Sequence, residues 1–155
     1  MSIYDISDKK IDGSTVKFSD YKGSVLLFVN VACKWGLTKI NYTQLPKLSD
    51  ELGPKGLKIL AFPCNQFGAQ EPGSAQEILE FVKKFDPKMD EKLVYFEKGD
   101  ANGDNARDVY KYLTKELPNE DGTVDIAWNF GESSLWFFPS VESFPAKCNI
   151  WVKLL

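Results

Sequence analysis

The stretch SVLLFVNVACKWGLT, residues 24–38, decides the fold of this chain. Residues 24–32 are almost continuously apolar and β-branched, which is typical of a strand buried on both faces of a sheet. A helix is predicted over residues 40–52, although Pro46 should kink or shorten it. Cys33–Thr38 therefore form a strand-to-helix loop, where the dipole of the helix N-terminus favours an anion.

The flanking sequence continues as an alternation of strands and helices. About two dozen residues with a helix separate the first buried strand from the next, the size of a right-handed β-α-β crossover. This alternation predicts a single α/β domain over residues 1–155. The remaining predicted elements are a hairpin turn over Ile11–Val16, a strand over 57–62, a helix after the capping box Ser74–Glu77, a short strand over 93–96 and a helix over 106–117.

The composition excludes several classes of partner. The 155 residues carry 19 basic and 22 acidic side chains, and the absence of any long basic run argues against a nucleic-acid partner. No run approaches the roughly 18 apolar residues of a membrane span, so stable membrane insertion is not expected. The first ten residues also lack the apolar core of a signal peptide, and the expected location is cytoplasmic.

Three cysteines and no histidine narrow the chemistry. Without histidine there is no Ser-His or Cys-His dyad and no His-bearing metal site, so no metal is expected. An odd number of cysteines in an intracellular chain argues against a disulfide framework. A nucleophile here needs activation by hydrogen bonds, by a lysine or by a helix N-terminus, which indicates a redox-thiol site.

Four blocks of sequence resemble the glutathione peroxidases. Asn30–Thr38 resembles the first signature of that family, and LAFPCNQFGAQEPG at residues 60–73 is close to a copy of the second. Asn102–Ala106 and Trp128–Phe130 resemble a third and a fourth block. Because the blocks occur in the same order as in the family, the resemblance is specific, and it covers roughly residues 1–130.

The resemblance implies a thioredoxin-like fold with a central mixed sheet flanked by helices. It implies a peroxidase that reduces hydrogen peroxide and organic or lipid hydroperoxides in the response to oxidative stress, with glutathione as reducing co-substrate and no bound cofactor. The short connection Leu117–Ile126 is similar to the small, monomeric phospholipid-hydroperoxide type. Thioredoxin is the less favoured reductant, because Lys83 and Lys84 lie where thioredoxin-using members carry a resolving cysteine.

The catalytic tetrad of the family is a selenocysteine or cysteine with Gln, Trp and Asn. Matching the motifs places these roles at Trp35, Gln66, Trp128 and Asn129. Amide and indole N–H groups could stabilise charge that develops on oxygen without acting as competing acids. Lys34 adds a positive charge beside the site, whereas Cys64 is interpreted as a buried, inert thiol.

Trp35 stands where the family has its nucleophile, and an indole cannot cycle through a selenenic or sulfenic acid. Three interpretations follow. The natural residue is selenocysteine, whose codon has been read as tryptophan; or the protein is a redox-inactive thioredoxin-fold binding or regulatory protein; or Cys33 has become the nucleophile. The third interpretation faces a geometric objection. Residues two positions apart in an extended segment, such as Cys33 and Trp35, are separated by about 6–7 Å, so a thiol at position 33 would not lie where the family has its nucleophile.

The tail, residues 131–155, departs abruptly from the family pattern. It holds five aromatic residues and shows neither strand nor helix periodicity. We hypothesise a frameshift or a mis-predicted exon from about Gly131, so that the closing C-terminal hairpin and helix are altered or missing. An uncovered sheet edge and face would then lower solubility and the melting temperature.

Overall fold

The centre of the fold is a sheet built from the two apolar runs. The computed structural model describes residues 2–116, 118 and 122–130. Its strands are β1 Ser7–Lys9, β2 Thr15–Lys17, β3 Val25–Val31, β4 Leu57–Pro63 and β5 Leu93–Tyr95. Its helices are α1 Thr38–Leu52, α2 Ala75–Val82, α3 Met89–Lys92 and α4 Asp108–Glu116.

Strands β3, β4 and β5 pair in parallel in that order. The register runs from Val25 opposite Leu57 to Val31 opposite Pro63, so the two strands end at the same edge. Every residue of β3 is buried, as the apolar run predicts for a strand covered on both faces. The predicted strands and the crossover through α1 are therefore confirmed, and the loops that follow β3 and β4 emerge side by side.

Strands β1 and β2 form a separate two-stranded antiparallel sheet beside the central one. Ser7 lies opposite Lys17 within the hairpin. An antiparallel bridge between Lys10 and Phe96, with a 2.9 Å bond from Ile11 N–H to the carbonyl of Tyr95, joins the hairpin to the end of β5. Among the described residues the three-stranded central sheet is parallel and flanked by helices, and antiparallel pairing reaches it only through this isolated bridge.

Helix α1 differs from its sequence-based prediction at Pro46. The helix starts at Thr38 rather than Ile40 and continues through Pro46 to Leu52. Proline removes one backbone donor, but Pro46 is buried in the same helix as Tyr42 and Leu45, which pack in the core. Burial of this helix face therefore outweighs the missing hydrogen bond, so Pro46 does not shorten the helix, which ends at Leu52 as predicted, and the alternative of a kink stays a prediction.

Two aromatic-rich clusters fill the two sides of the sheet. Alternate residues of β3 face opposite ways, with Leu26 and Phe28 in one cluster and Leu27 and Val29 in the other. The first cluster also packs residues of α4, and the second packs residues of α1 and α2. The sheet is therefore held rigidly between helices, which fixes the loops at its edge.

Two expectations concern the ends of the chain and its relation to a membrane. The altered closing hairpin and helix lie in residues 131–155, outside the described residues, and the single domain over 1–155 stays a prediction. Among residues 2–116, 118 and 122–130, none of the helices is long and apolar enough to span a membrane.

Candidate active site

The loop between β3 and α1 is closed by the side chain of Thr38. Thr38 is buried; its hydroxyl donates to the carbonyl of Ala32 at 2.6 Å and accepts from the N–H of Trp35 at 3.0 Å. The Thr38 N–H also donates to the Trp35 carbonyl at 3.1 Å. These bonds fold the loop into a tight turn at the start of α1. Sequence reasoning missed Thr38, although a hydroxyl residue at a helix start is a known turn signal.

The indole of Trp35 packs as part of an aromatic stack. Its ring lies parallel to that of Phe130, with centroids 5.7 Å apart and planes 13° apart. Phe130 in turn meets the buried ring of Tyr42 edge-on at 5.4 Å. Position 35 is therefore held between the start of α1 and the segment that carries Trp128 and Asn129.

The carboxamide of Gln66 joins two loops. Its Oε1 accepts from the N–H groups of Ala101 at 2.8 Å and Asn102 at 2.9 Å. Its Nε2 donates to the carbonyl of Asn102 at 2.9 Å. A primary amide has two N–H donors, so one donor of the exposed Gln66 has no partner among the described residues.

Asn102 continues this connection towards the fourth block. Its Nδ2 donates to the carbonyl of Ile126 at 2.7 Å, and its Oδ1 accepts from the Ile126 N–H at 2.8 Å. One side chain thus pairs with both backbone groups of a residue two positions before Trp128. The third block was matched without a role, and the structure gives it a bracing role between Gln66 and Trp128.

Trp128 and Asn129 differ sharply in environment. Trp128 is 44% exposed, and its ring contacts Phe67 with centroids 5.9 Å apart. Asn129 is fully buried, and its Nδ2 donates to the carbonyl of Phe67 at 3.3 Å and to Oε1 of Gln70 at 2.8 Å. Both N–H groups of Asn129 are therefore engaged with the loop after β4, whereas the Trp128 indole faces the surface.

The four predicted site residues are linked in two ways. Asn129 bonds directly to the loop that contains Gln66, and the neighbouring Phe130 stacks on Trp35. Among the described residues, no hydrogen bond or ring contact joins Trp35 directly to Gln66, Trp128 or Asn129. Their shared role at one site stays a proposal.

Cys33 lies beside a buried carboxylate. Glu71 is fully buried, and neither of its carboxylate oxygens has a hydrogen-bond partner among the described residues. Burial raises the pKa of the half-buried Cys33 thiol far above its usual range, and the neighbouring Glu71 charge raises it further, against a smaller opposing effect of Lys34. A thiol in this setting stays protonated, which disfavours Cys33 as a nucleophile.

Cys64 is also unsuited to nucleophilic chemistry. It is buried in the core cluster that contains Phe62, and burial raises its pKa. Its Sγ lies 3.7 Å from Oε1 of Gln66. The interpretation of Cys64 as an inert packing thiol agrees with this environment. Among the described residues, no three Cys, Asp or Glu side chains are grouped as metal ligands would be.

Glu71→Gln is expected to stabilise the protein in a pH-dependent way. Burial raises the pKa of Glu71 above its ordinary 4.5, so ionising it costs free energy only in the folded state. Stability is then lost as pH rises from 4.5 through the folded-state pKa, and Gln removes this loss. Unfolding in urea should show a gain of about 1–3 kcal/mol near pH 8 that shrinks towards pH 4.

The control for this prediction is Glu51→Gln, which removes one negative charge from an exposed position on α1. It should change stability by less than about 0.5 kcal/mol. A gain for Glu71→Gln that stays constant between about pH 4 and pH 8 would show that burial of the ionised carboxylate is not its cause.

Comparison with known sequences supports the resemblance. The sequence model of the family described as Glutathione peroxidase matches residues 3–114. A probable phospholipid hydroperoxide glutathione peroxidase of Citrus sinensis is 46% identical over 131 residues, covering 84% of this chain and 76% of the relative. A glutathione peroxidase of Schistosoma mansoni is 46% identical over 132 residues, covering 84% of this chain and 75% of the relative.

Solved structures agree with the sequence matches. The crystal structure of T. cruzi GPX1 is 32% identical, covers 84% of this chain and 76% of its own, and superposes with a TM-score of 0.64. The crystal structure of Trgpx in apo form is 28% identical, covers 87% of this chain and 82% of its own, and has a TM-score of 0.62. The thioredoxin-like fold is thereby confirmed, and the chain belongs to the glutathione peroxidase family.

Proposed function

We propose that the natural product of this sequence reduces hydroperoxides with glutathione, using a selenocysteine or cysteine at position 35. The observation that carries this proposal is the place of residue 35, in a turn closed by Thr38 at the start of α1 and against the Trp128–Phe130 segment. The names of the relatives support hydroperoxides, including those of phospholipids, as the substrate class.

In the proposed reaction, a selenolate or thiolate at position 35 attacks one oxygen of the O–O bond. That bond breaks, the other oxygen leaves as an alkoxide and takes a proton, and the nucleophile becomes a selenenic or sulfenic acid. One glutathione condenses with this acid and releases water. A second glutathione then displaces the first as the disulfide, restores the nucleophile and closes the cycle.

The proposed donors for the developing negative charge follow from the hydrogen bonds already made. Gln66 retains one amide N–H, and the exposed indole of Trp128 provides another. Asn129 has both its N–H groups bonded to Phe67 and Gln70, so we assign it to holding the loop after β4 in place. The dipole of α1 and Lys34 would both favour an anion at position 35.

The chain as written carries an indole at position 35, and an indole cannot perform this first step. Of the interpretations of Trp35, the burial of Cys33 beside Glu71 disfavours the one that makes Cys33 the nucleophile. The second candidate function is a redox-inactive binding or regulatory protein. It is favoured by one observation, that the Trp35 indole stacks well on Phe130 rather than being left unpacked.

We further propose a monomer that uses glutathione rather than thioredoxin, needs no bound cofactor and works in the cytoplasm. Lys83 and Lys84 follow α2 where a resolving cysteine would be needed, and Lys83 pairs with Asp90 at 2.6 Å. Unpaired thiols such as Cys33 and Cys64 suit a reducing compartment.

The test is the identity of residue 35 in the protein purified from its natural source. Intact mass and selenium content should show selenocysteine, and the protein should oxidise glutathione when a phospholipid hydroperoxide is added. A mass that corresponds to Trp35, together with no hydroperoxide turnover, would favour the regulatory function and overturn the peroxidase proposal.

A further inference from the structure

Asn30 is the polar exception in the central strand. It lies in β3, whose other six residues are apolar and all of which are buried. Asn30 itself is completely inaccessible to solvent. Burying an amide in such a strand costs free energy unless the amide makes hydrogen bonds, so a buried Asn there calls for a specific partner.

The partners of Asn30 are the two residues that flank Asn129. The Nδ2 of Asn30 donates to the carbonyl of Trp128 at 2.9 Å. The backbone carbonyl of Asn30 accepts from the N–H of Phe130 at 2.8 Å. Phe130 has a positive φ of 46°, a left-handed conformation that costs free energy in a non-glycine residue and needs support from its surroundings.

We propose that Asn30 is a positioning residue for the reaction at position 35, acting by clamping the Trp128–Phe130 segment to the central strand. The inference rests on the proposed function. The clamp fixes three side chains at once: the indole of Trp128, the amide of Asn129 and the ring of Phe130 that contacts residue 35.

The geometry of the sheet explains why β3 is suited to positioning the Trp128–Phe130 segment. Asn30 precedes the loop of residue 35 on the same strand and lies opposite Phe62 of β4, which leads directly to the loop of Gln66. The buried strand β3 therefore fixes the position of the Trp128–Phe130 segment relative to the loop of residue 35 and the loop of Gln66. A misplacement of about 1 Å in such an arrangement can cost about 100-fold in rate.

Only the donor half of the Asn30 amide makes a bond. Its Oδ1 is buried and has no hydrogen-bond partner among the described residues. Leucine at this position keeps a similar volume but leaves the Trp128 carbonyl without its donor. Aspartate keeps the shape, but its ionised form turns an oxygen towards that carbonyl, and only its protonated form can donate.

The experiment uses the full chain with Trp35→Cys as parent and compares Asn30→Leu, Asn30→Asp and Ser49→Ala. Ser49 donates from α1 to the carbonyl of Lys92 at 2.9 Å, a tertiary bond of the same kind in a different part of the fold. Steady-state kinetics with hydrogen peroxide and glutathione give kcat and KM. Hydrogen exchange measured by mass spectrometry follows residues 122–130 and, separately, α4.

Asn30→Leu should lower kcat by roughly 10–100-fold and change KM by less than about 2-fold. Exchange should rise in residues 122–130 and stay unchanged in α4. Asn30→Asp should stay active while its acid is protonated, which burial favours, and should lose activity relative to the parent as pH rises and the acid ionises. Ser49→Ala should leave kcat unchanged.

Two outcomes would overturn the inference. One is a folded Asn30→Leu protein with the kcat of its parent. The other is an equal rise of exchange in residues 122–130 and in α4, which would reveal a general loss of stability. If the Trp35→Cys parent itself has no activity, the proposed function fails. The exchange pattern of Asn30→Leu and Asn30→Asp then decides whether Asn30 clamps the segment.

Discussion

Replacing Trp35 by cysteine is expected to turn a protein without hydroperoxide turnover into a glutathione-dependent peroxidase. The substitution supplies a thiol at the start of α1, where the helix dipole and Lys34 lower its pKa. The Trp128 indole and the remaining N–H of Gln66 are the donors we propose for the leaving oxygen. Oxidation of glutathione should rise at least about 100-fold over the Trp35 protein, because the missing nucleophile limits the whole reaction.

Folding of this variant is a separate question with its own measurement. Removing the half-buried indole breaks the stack on Phe130, and we expect a loss of about 2–4 kcal/mol of stability. Thermal unfolding and circular dichroism establish whether the protein stays folded at the assay temperature. Trp35→Ser is the matched control, since it creates the same space without a thiol and should remain inactive.

Cys33→Ser distinguishes the interpretations of Trp35. In the Trp35→Cys background it should leave turnover within about 2-fold, because the raised pKa of Cys33 keeps that thiol protonated. Activity in the Trp35 protein that disappears with Cys33→Ser would contradict this and make Cys33 the nucleophile. A folded Trp35→Cys protein with no turnover would favour the regulatory function.

Local pattern was enough to predict the central strands and the loop between β3 and α1. The unbroken apolar runs gave β3 and β4, and the capping box of Ser74 and Glu77 gave the start of α2, where both reciprocal bonds form. That Pro46 would not shorten α1 could not be predicted, because proline propensity is local, whereas burial of its helix face depends on tertiary packing.

The hydrogen bonds that hold the candidate site together cannot be predicted from a local sequence pattern. Asn102 reaches Ile126, and Asn30 reaches Trp128, from 24 and 98 positions away in sequence. Side-chain-to-backbone bonds of this range have no periodicity, so a motif can name the residues but not their partners. For the same reason the sequence could not show that the side-chain amide of Gln66 makes three hydrogen bonds to the backbone of Ala101 and Asn102.

Arg107→Met is expected to cause a large loss of stability, although Arg107 lies outside the candidate site. The guanidinium pairs through Nη1 with Asp8 at 2.7 Å, and the two side chains are only 11% and 18% exposed. Its Nη2 donates to the carbonyl of Glu97, and its Cζ lies over the ring of Phe62, 5.7 Å from the ring centroid. One side chain thus joins the β1 hairpin, the end of β5 and the start of α4.

Removing one partner of a fully buried pair costs about 3–5 kcal/mol, and this partly buried pair is expected to lie near the lower end of that range. Thermal unfolding should therefore show the melting temperature of Arg107→Met reduced by roughly 10 °C. Lys83→Met is the matched control, because its pair with Asp90 is as short, at 2.6 Å, but exposed, and it should cost less than about 1 kcal/mol.

A second substitution separates the uncompensated charge from the lost packing. Adding Asp8→Leu to Arg107→Met removes the partly buried carboxylate and should restore part of the stability, whereas the unpaired carbonyl of Glu97 and the lost contact with Phe62 remain. If Arg107→Met costs no more than Lys83→Met, the junction of hairpin, strand and helix depends on apolar packing alone. If the double variant is no more stable than Arg107→Met, the loss comes from Glu97 and Phe62, and Asp8 contributes little.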